Sequence, residues 1–203
     1  MLEKEVWQYT SQKIQALQTL PPPAQRSTLA RLRRGVGKMP GDLPELWSVL
    51  LQGMPKELMN ADGEPSYAEW AIYVALTLYA LHQQGHDVEK EPMHRSGFAL
   101  GSAVRRLAED QQSKKQVKDE DFSDNTIWKR FCCMATASGM PELTHYLRGL
   151  VQMMRSEGIP LDYARLAKDL YVWQTPEYAP KIRLRWGQDF YANHPKETKN
   201  EKE

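Results

Sequence analysis

Between Ala24 and Pro40 the chain carries Arg26, Arg31, Arg33, Arg34 and Lys38 and no acidic residue. Arginine predominates, and a planar guanidinium can grip two oxygens of one phosphate at once. On a helix, Arg26, Arg33 and Arg34 project roughly together, while Leu29 and Leu32 turn towards a core. Further cation clusters are Arg95 with Arg105 and Arg106, then Lys129 with Arg130, then Lys181, Arg183 and Arg185. The net charge is only +1, so the information lies in how charge is segregated along the chain. Any one cluster equally fits a solvated face bridging to acids on neighbouring helices. Taken together, they favour a polyanionic partner. With about six phosphate contacts, affinity would fall roughly a thousandfold between about 50 and 200 mM salt. No helix-turn-helix or RNA-binding motif accompanies the cations, so a grip on backbone is expected rather than sequence readout.

Catalytic chemistry needs a constellation, and none assembles. His82 and His86 have the spacing of a metal-binding pair, but Gly85 breaks the helix between them and no Glu occupies the position of a metalloprotease base. They read as a surface helix end. Asp119, Glu120 and Asp121 fall in a charged stretch and read as solvated linker. Gly97 and Gly101 lack the preceding strand of a phosphate-binding loop; on a helix, glycines four apart would admit a closely packed neighbour. Ser96 and Ser102 have no recognisable His and acid partners. The expectation is a non-enzyme with no cofactor, no metal ligand and no catalytic residue. The competing reading is a helical protein–protein adaptor whose arginines meet acidic protein surfaces.

The elements that must carry these residues are helical throughout. A first helix over 2–19 stops at Pro21-Pro22-Pro23, and the third proline can open a second. That helix ends at Gly35, where tolerance of positive φ would suit a C-terminus. Asp42 and Pro44 form an expected N-cap and first-turn pair for a short helix with Leu46, Trp47, Leu50 and Leu51, closed by Gly53. Residues 54–64 read as a loop with an Asp62-Gly63 turn. Ser66-x-x-Glu69 is a capping box before the apolar helix 67–83. A helix over 92–110, a mobile loop over 111–125, and helices over 125–138, 141–156, 161–173 and 181–191 complete the reading, with Trp173 and Trp186 assigned to the core. The expected class is all-α: one small bundle over 1–90, a second over 91–192, and a disordered tail over 193–203.

Composition agrees with a folded chain. Its 203 residues are 41% hydrophobic and 26% charged, with six Trp and nine Tyr, enough to bury a core without disulfides or metals. Cys132 and Cys133 read as reduced, half-buried helix residues. The longest apolar stretch, Trp70–Leu81, is shorter than the roughly 20 residues needed to span a bilayer. The first residues, Met-Leu-Glu-Lys-Glu-Val-Trp, carry acids where a secretory leader has basic residues. A cytoplasmic protein with no membrane partner is expected.

Five segments occur in a telling order. They are Leu29-Ala30-Arg31-Leu32-Arg33-Arg34-Gly35; Ala103-Val104-Arg105-Arg106-Leu107; Tyr146-Leu147-Arg148-Gly149-Leu150-Val151; Gly158-Ile159-Pro160-Leu161-Asp162-Tyr163 through Asp169-Leu170 and Trp173; and Arg185-Trp186-Gly187-Gln188-Asp189-Phe190-Tyr191. Together they closely resemble the CasB family, the small subunit of the type I-E CRISPR surveillance complex Cascade, over nearly the whole chain. The resemblance implies two helical bundles, two stacked copies within a ribonucleoprotein, and the large and backbone subunits as neighbours. It further implies a position along the hybrid of guide RNA and target DNA, and help in holding the displaced strand of an R-loop. Guide pairing would supply specificity while the protein supplies charge and shape. Arg148, inside one matching segment, joins the cations assigned to nucleic-acid backbone: Arg26, Arg31, Arg33, Arg34, Lys38, Arg95, Arg105, Arg106, Lys129 and Arg130.

Overall fold

The computed structural model describes residues 2–114 and 121–192. Among them, nine α-helices and two 3-10 turns, Pro44–Leu46 and Lys56–Leu58, account for the regular structure, and no strand is present beyond a single bridge between His94 and Leu161. The expected tail at 193–203, the middle of the expected loop at 111–125 and the acids Asp119 and Glu120 lie outside the described residues.

α4 (Tyr67–His82) is the element around which the others pack. Its sequence, YAEWAIYVALTLYALH, is apolar on every side, so burial all round is the only arrangement that keeps it out of water. The capping box at its start is complete. The Glu69 amide donates to Ser66 Oγ at 3.0 Å, and the Ser66 amide donates to Glu69 Oε2 at 2.7 Å. α1 (Leu2–Gln18), α2 (Pro22–Arg34), α7 (Met140–Glu157) and α8 (Tyr163–Trp173) all pack on α4. α8 lies between α1 and α4, and also touches α9 (Ala179–Tyr191). α5 (Leu100–Lys114) packs along α9, and α6 (Thr126–Ala135) along α7. The short α3 (Trp47–Leu50) follows a 3-10 turn at Pro44–Leu46. Most of the buried apolar side chains, from Val6 to Phe190, form one contiguous cluster that includes Trp173 and Trp186.

The structure departs from the sequence reading at several places. Residues 92–99 are not helical. Gly97 has φ of +86°, and the segment docks on residues 161–163 through Leu161 N to Met93 O (3.0 Å), Asp162 N to Phe98 O (2.8 Å) and Gly97 N to Asp162 Oδ2 (2.9 Å). Backbone pairing across the fold takes the place of intrahelical bonds, so Gly97 and Gly101 do not share a helix face. Gly101 alone meets a neighbour, because a Cβ there would press into the Trp186 carbonyl oxygen of α9 and stand 2.7 Å from the Phe190 amide nitrogen. α5 runs on to Lys114 instead of stopping at Asp110, and Lys114 reaches Glu157 of α7 at 2.6 Å. Gly35 has φ of −76°. Its lack of a side chain serves packing, since a Cβ would approach the Tyr73 hydroxyl to 2.8 Å. Asp42 is not an N-cap; Leu43 occupies that position, and Asp42 Oδ2 accepts from Met39 N at 2.8 Å. His82 is fully buried, not a surface end, because the helix carries it under Tyr163, whose hydroxyl lies 2.8 Å from Nδ1. Of the two cysteines, both free, Cys132 is half-buried and Cys133 exposed.

Candidate nucleic-acid interface

The α2 cations follow from a helix with no acid to balance them. Leu29 and Leu32 are buried against α4, which leaves Arg26 exposed and Arg31 and Arg33 half-buried at the margin. Arg31 donates to the Thr28 hydroxyl at 3.4 Å. Arg34 turns to Glu45 at 2.8 Å, an exposed pair of modest worth. Past the helix, Lys38 is exposed.

α7 brings a second set alongside. Its stripe Leu143, Leu147, Leu150, Val151 and Met154 is buried, so the opposite face presents His145, Arg148 and Arg155. No acid occurs between Glu142 and Glu157, and those two are engaged at the helix ends by Ser138 and Lys114. The Arg148 guanidinium lies 3.8 Å from where a Cβ on Gly37 would stand, which places it beside the end of α2. Arg155 donates to Gln84 Oε1 at 3.2 Å. Burial, reinforced by the positive charge of Arg155, holds the Arg33 guanidinium below its ordinary value. On the other flank of α7, Arg130 of α6 lies 3.7 Å from the corresponding point on Gly149. A strip of guanidinium groups therefore runs from α6 across α7 to the end of α2. Among the described residues, Arg33, Arg130, Arg148 and Arg155 have no carboxylate within ion-pair distance.

Other cations assigned from the sequence are placed differently. Arg105 pairs with Glu109 at 2.7 Å and lies over the Phe122 ring at 4.1 Å, so it serves packing between α5, α9 and the segment before α6. Lys129 pairs with Asp124 at 3.0 Å. Arg106 and Arg95 are exposed, the latter on the docked segment 92–99. Acids thus approach several clusters more closely than linear segregation suggested. Arg155 was missed, although its position seven residues after Arg148 in an acid-free stretch marks it on the same helix face. Ser102 donates to the Asp189 carbonyl at 3.1 Å and so ties α5 to α9. Among the described residues, no group of three or more His, Cys, Asp or Glu could hold a metal ion, and no helix is long and apolar enough to cross a membrane.

The family described as CRISPR-associated protein Cse2 matches residues 28–191. Among solved structures, the chain is similar to CasB from Thermobifida fusca, at 34% identity, 93% coverage of this chain, 98% of that one and a TM-score of 0.74. A Cse2-family protein of Thermus thermophilus (23% identity; 91% and 97% coverage; TM-score 0.65) and CasB of M. ruber (22%; 92% and 92%; 0.62) share the fold. No curated protein matches significantly. A match over most of the chain, joined by a relative at this identity spanning nearly its full length, places this protein in the Cse2 (CasB) family and so among the subunits of CRISPR Cascade complexes.

Proposed function

We propose that the chain is a non-catalytic small subunit of an RNA-guided surveillance ribonucleoprotein of the type I-E Cascade class, acting in the cytoplasm. It grips nucleic-acid backbone without reading sequence and stabilises the R-loop, including the displaced DNA strand. Its partners are guide RNA and target DNA, the large and backbone subunits, and a second copy of itself. The observation that carries this reading is the strip Arg130–Arg148–Arg155–Arg33, whose charges no carboxylate among the described residues neutralises. Arg26, Arg31 and Lys38 extend it along α2 and beyond. Unpaired guanidinium groups along a surface suit a phosphate chain, because displaced counterions add to the attraction.

The test is fluorescence anisotropy of random single- and double-stranded DNA against the protein over a salt series. Six phosphate contacts predict a loss near a thousandfold between about 50 and 200 mM salt. No binding at low salt, by the isolated protein or by its complex, would overturn the reading. An adaptor without nucleic-acid contact is favoured by one observation: Trp47, 52% exposed, and Leu51, one helical turn on, present an apolar patch. Under that reading, Trp47→Ser would break assembly while neutralising the arginine strip would leave R-loop formation unchanged.

A further inference from the structure

A cleft of about 440 Å³ opens between α1, α8 and α9 and shares no residue with the strip on α2, α6 and α7. Its walls carry four cations against two carboxylates, together with one tryptophan. Both carboxylates are engaged by the protein itself. Asp162 caps α8, accepting from Arg165 N at 2.9 Å and Gly97 N at 2.9 Å. Asp169 is buried, accepts from Trp186 Nε1 at 2.9 Å and pairs with Arg185. Of the cations, Arg185 is thus paired, and the two lysines are less committed. Among the described residues, Lys168 forms an ion pair only with Glu3, at 3.8 Å, and no carboxylate pairs with Lys4. Arg165 pairs with Asp189 at 2.5 Å. The Nε of Arg185 is buried and, among the described residues, bonds to nothing, a state that normally signals a missing acceptor. Trp7, one turn from Lys4 on α1 and 38% exposed, completes the lining.

We propose that this cleft binds a nucleoside phosphate, the phosphate on Lys4, Lys168 and Arg185 and the base against the Trp7 indole. The volume is that of a small-ligand site. Cations beside an aromatic face are the combination that holds a single nucleotide: charge takes the phosphate, and stacking takes any base. The nucleotide is either free or one unit of a single strand, and the same site chemistry serves both.

The test uses the full chain, labelled with ¹⁵N, and follows the Trp7 indole resonance, identified by its absence in Trp7→Phe. AMP, hexathymidylate, inorganic phosphate and hexaglutamate are titrated separately. AMP and hexathymidylate shift the resonance saturably, and Lys4→Ala and Lys168→Ala each weaken both by about tenfold with unchanged helicity. Hexathymidylate binding far more tightly than AMP assigns the site to a strand; equal affinities assign it to free nucleotide. No shift by either up to about 10 mM, which corresponds to negligible affinity, overturns the proposal. So does inorganic phosphate matching AMP, or hexaglutamate matching hexathymidylate. Arg130→Gln and Arg148→Gln, titrated in parallel, leave the Trp7 response unchanged. DNA binding that is lost in those variants and retained in the cleft variants, with the Trp7 resonance unmoved by AMP, would sink the cleft while preserving the backbone grip.

Discussion

Arg33 of α2 and Arg155 of α7 stand close enough for the charge of one to make protonation of the other harder, with no carboxylate between them. Like charges held side by side cost the folded protein a little and serve binding once a polyanion arrives. Arg33→Gln and Arg155→Gln should therefore leave stability within about 0.5 kcal/mol of the parent, or raise it slightly. Each should lower DNA affinity and reduce the salt slope by about one phosphate contact. Urea unfolding and anisotropy measure the two effects. A stability loss above ~1 kcal/mol with unchanged DNA binding would show that these arginines serve the fold.

Gly101→Ala should be among the most damaging single-methyl additions in the chain. The added Cβ would press into the Trp186 carbonyl oxygen and lie 2.7 Å from the Phe190 amide nitrogen. Both are backbone atoms of α9, so relief requires moving the helix, and overpacking of this kind costs about 1–3 kcal/mol or more. The measurement is the urea midpoint. A change below ~0.5 kcal/mol would mean that α5 and α9 separate freely.

Much of the fold was legible because it is local. The capping box at Ser66 and Glu69 and the all-round apolar sequence fix α4, and the stripe from Leu143 to Met154 fixes α7. Residues 92–99 were misread because their backbone partners, Leu161 and Asp162, are remote in sequence. No helical periodicity encodes such a pairing. His82 likewise carries no local sign of burial, since Tyr163 covers it from another helix. At the strip, the cations of α2 and α6 were readable from charge alone. Their adjacency to Arg148 and Arg155, and the capture of Arg34 and Arg105 by Glu45 and Glu109, are products of packing. The cleft was invisible, because Lys4 and Trp7 meet Arg165 and Arg185 only once α1 lies on α8.

Asp169→Ala should destabilise strongly. Burial pushes this carboxyl up from its ordinary value, and Arg185 and the Trp186 indole N–H oppose that push. Removing it strands the half-buried Arg185 guanidinium and orphans a buried indole N–H, for which about 3 kcal/mol is the expected scale. Asp169→Asn, which can still accept from Trp186, should cost less. Thermal unfolding of the two variants checks the order, and equal losses would show that the indole hydrogen bond adds nothing beyond the lost charge pairing with Arg185.

His82 should make the fold acid-sensitive. Burial first, then the charges of His86 and Arg155, hold its imidazole down at about 3, against an ordinary value of 6.5. Because the folded value lies below the unfolded one, both states are neutral well above pH 6.5 and the group contributes no pH dependence there. As pH falls below 6.5, the unfolded chain takes up a proton that the folded chain refuses, so stability declines until pH approaches 3. Linkage gives about 2 kcal/mol lost from this group between about pH 7 and pH 5. His82→Gln removes the titrating group. Its urea-unfolding free energy should fall less over the same interval than the parent's, by about that amount. Parallel pH profiles for parent and variant would show that His82 takes up its proton in the folded state as readily as in the unfolded one.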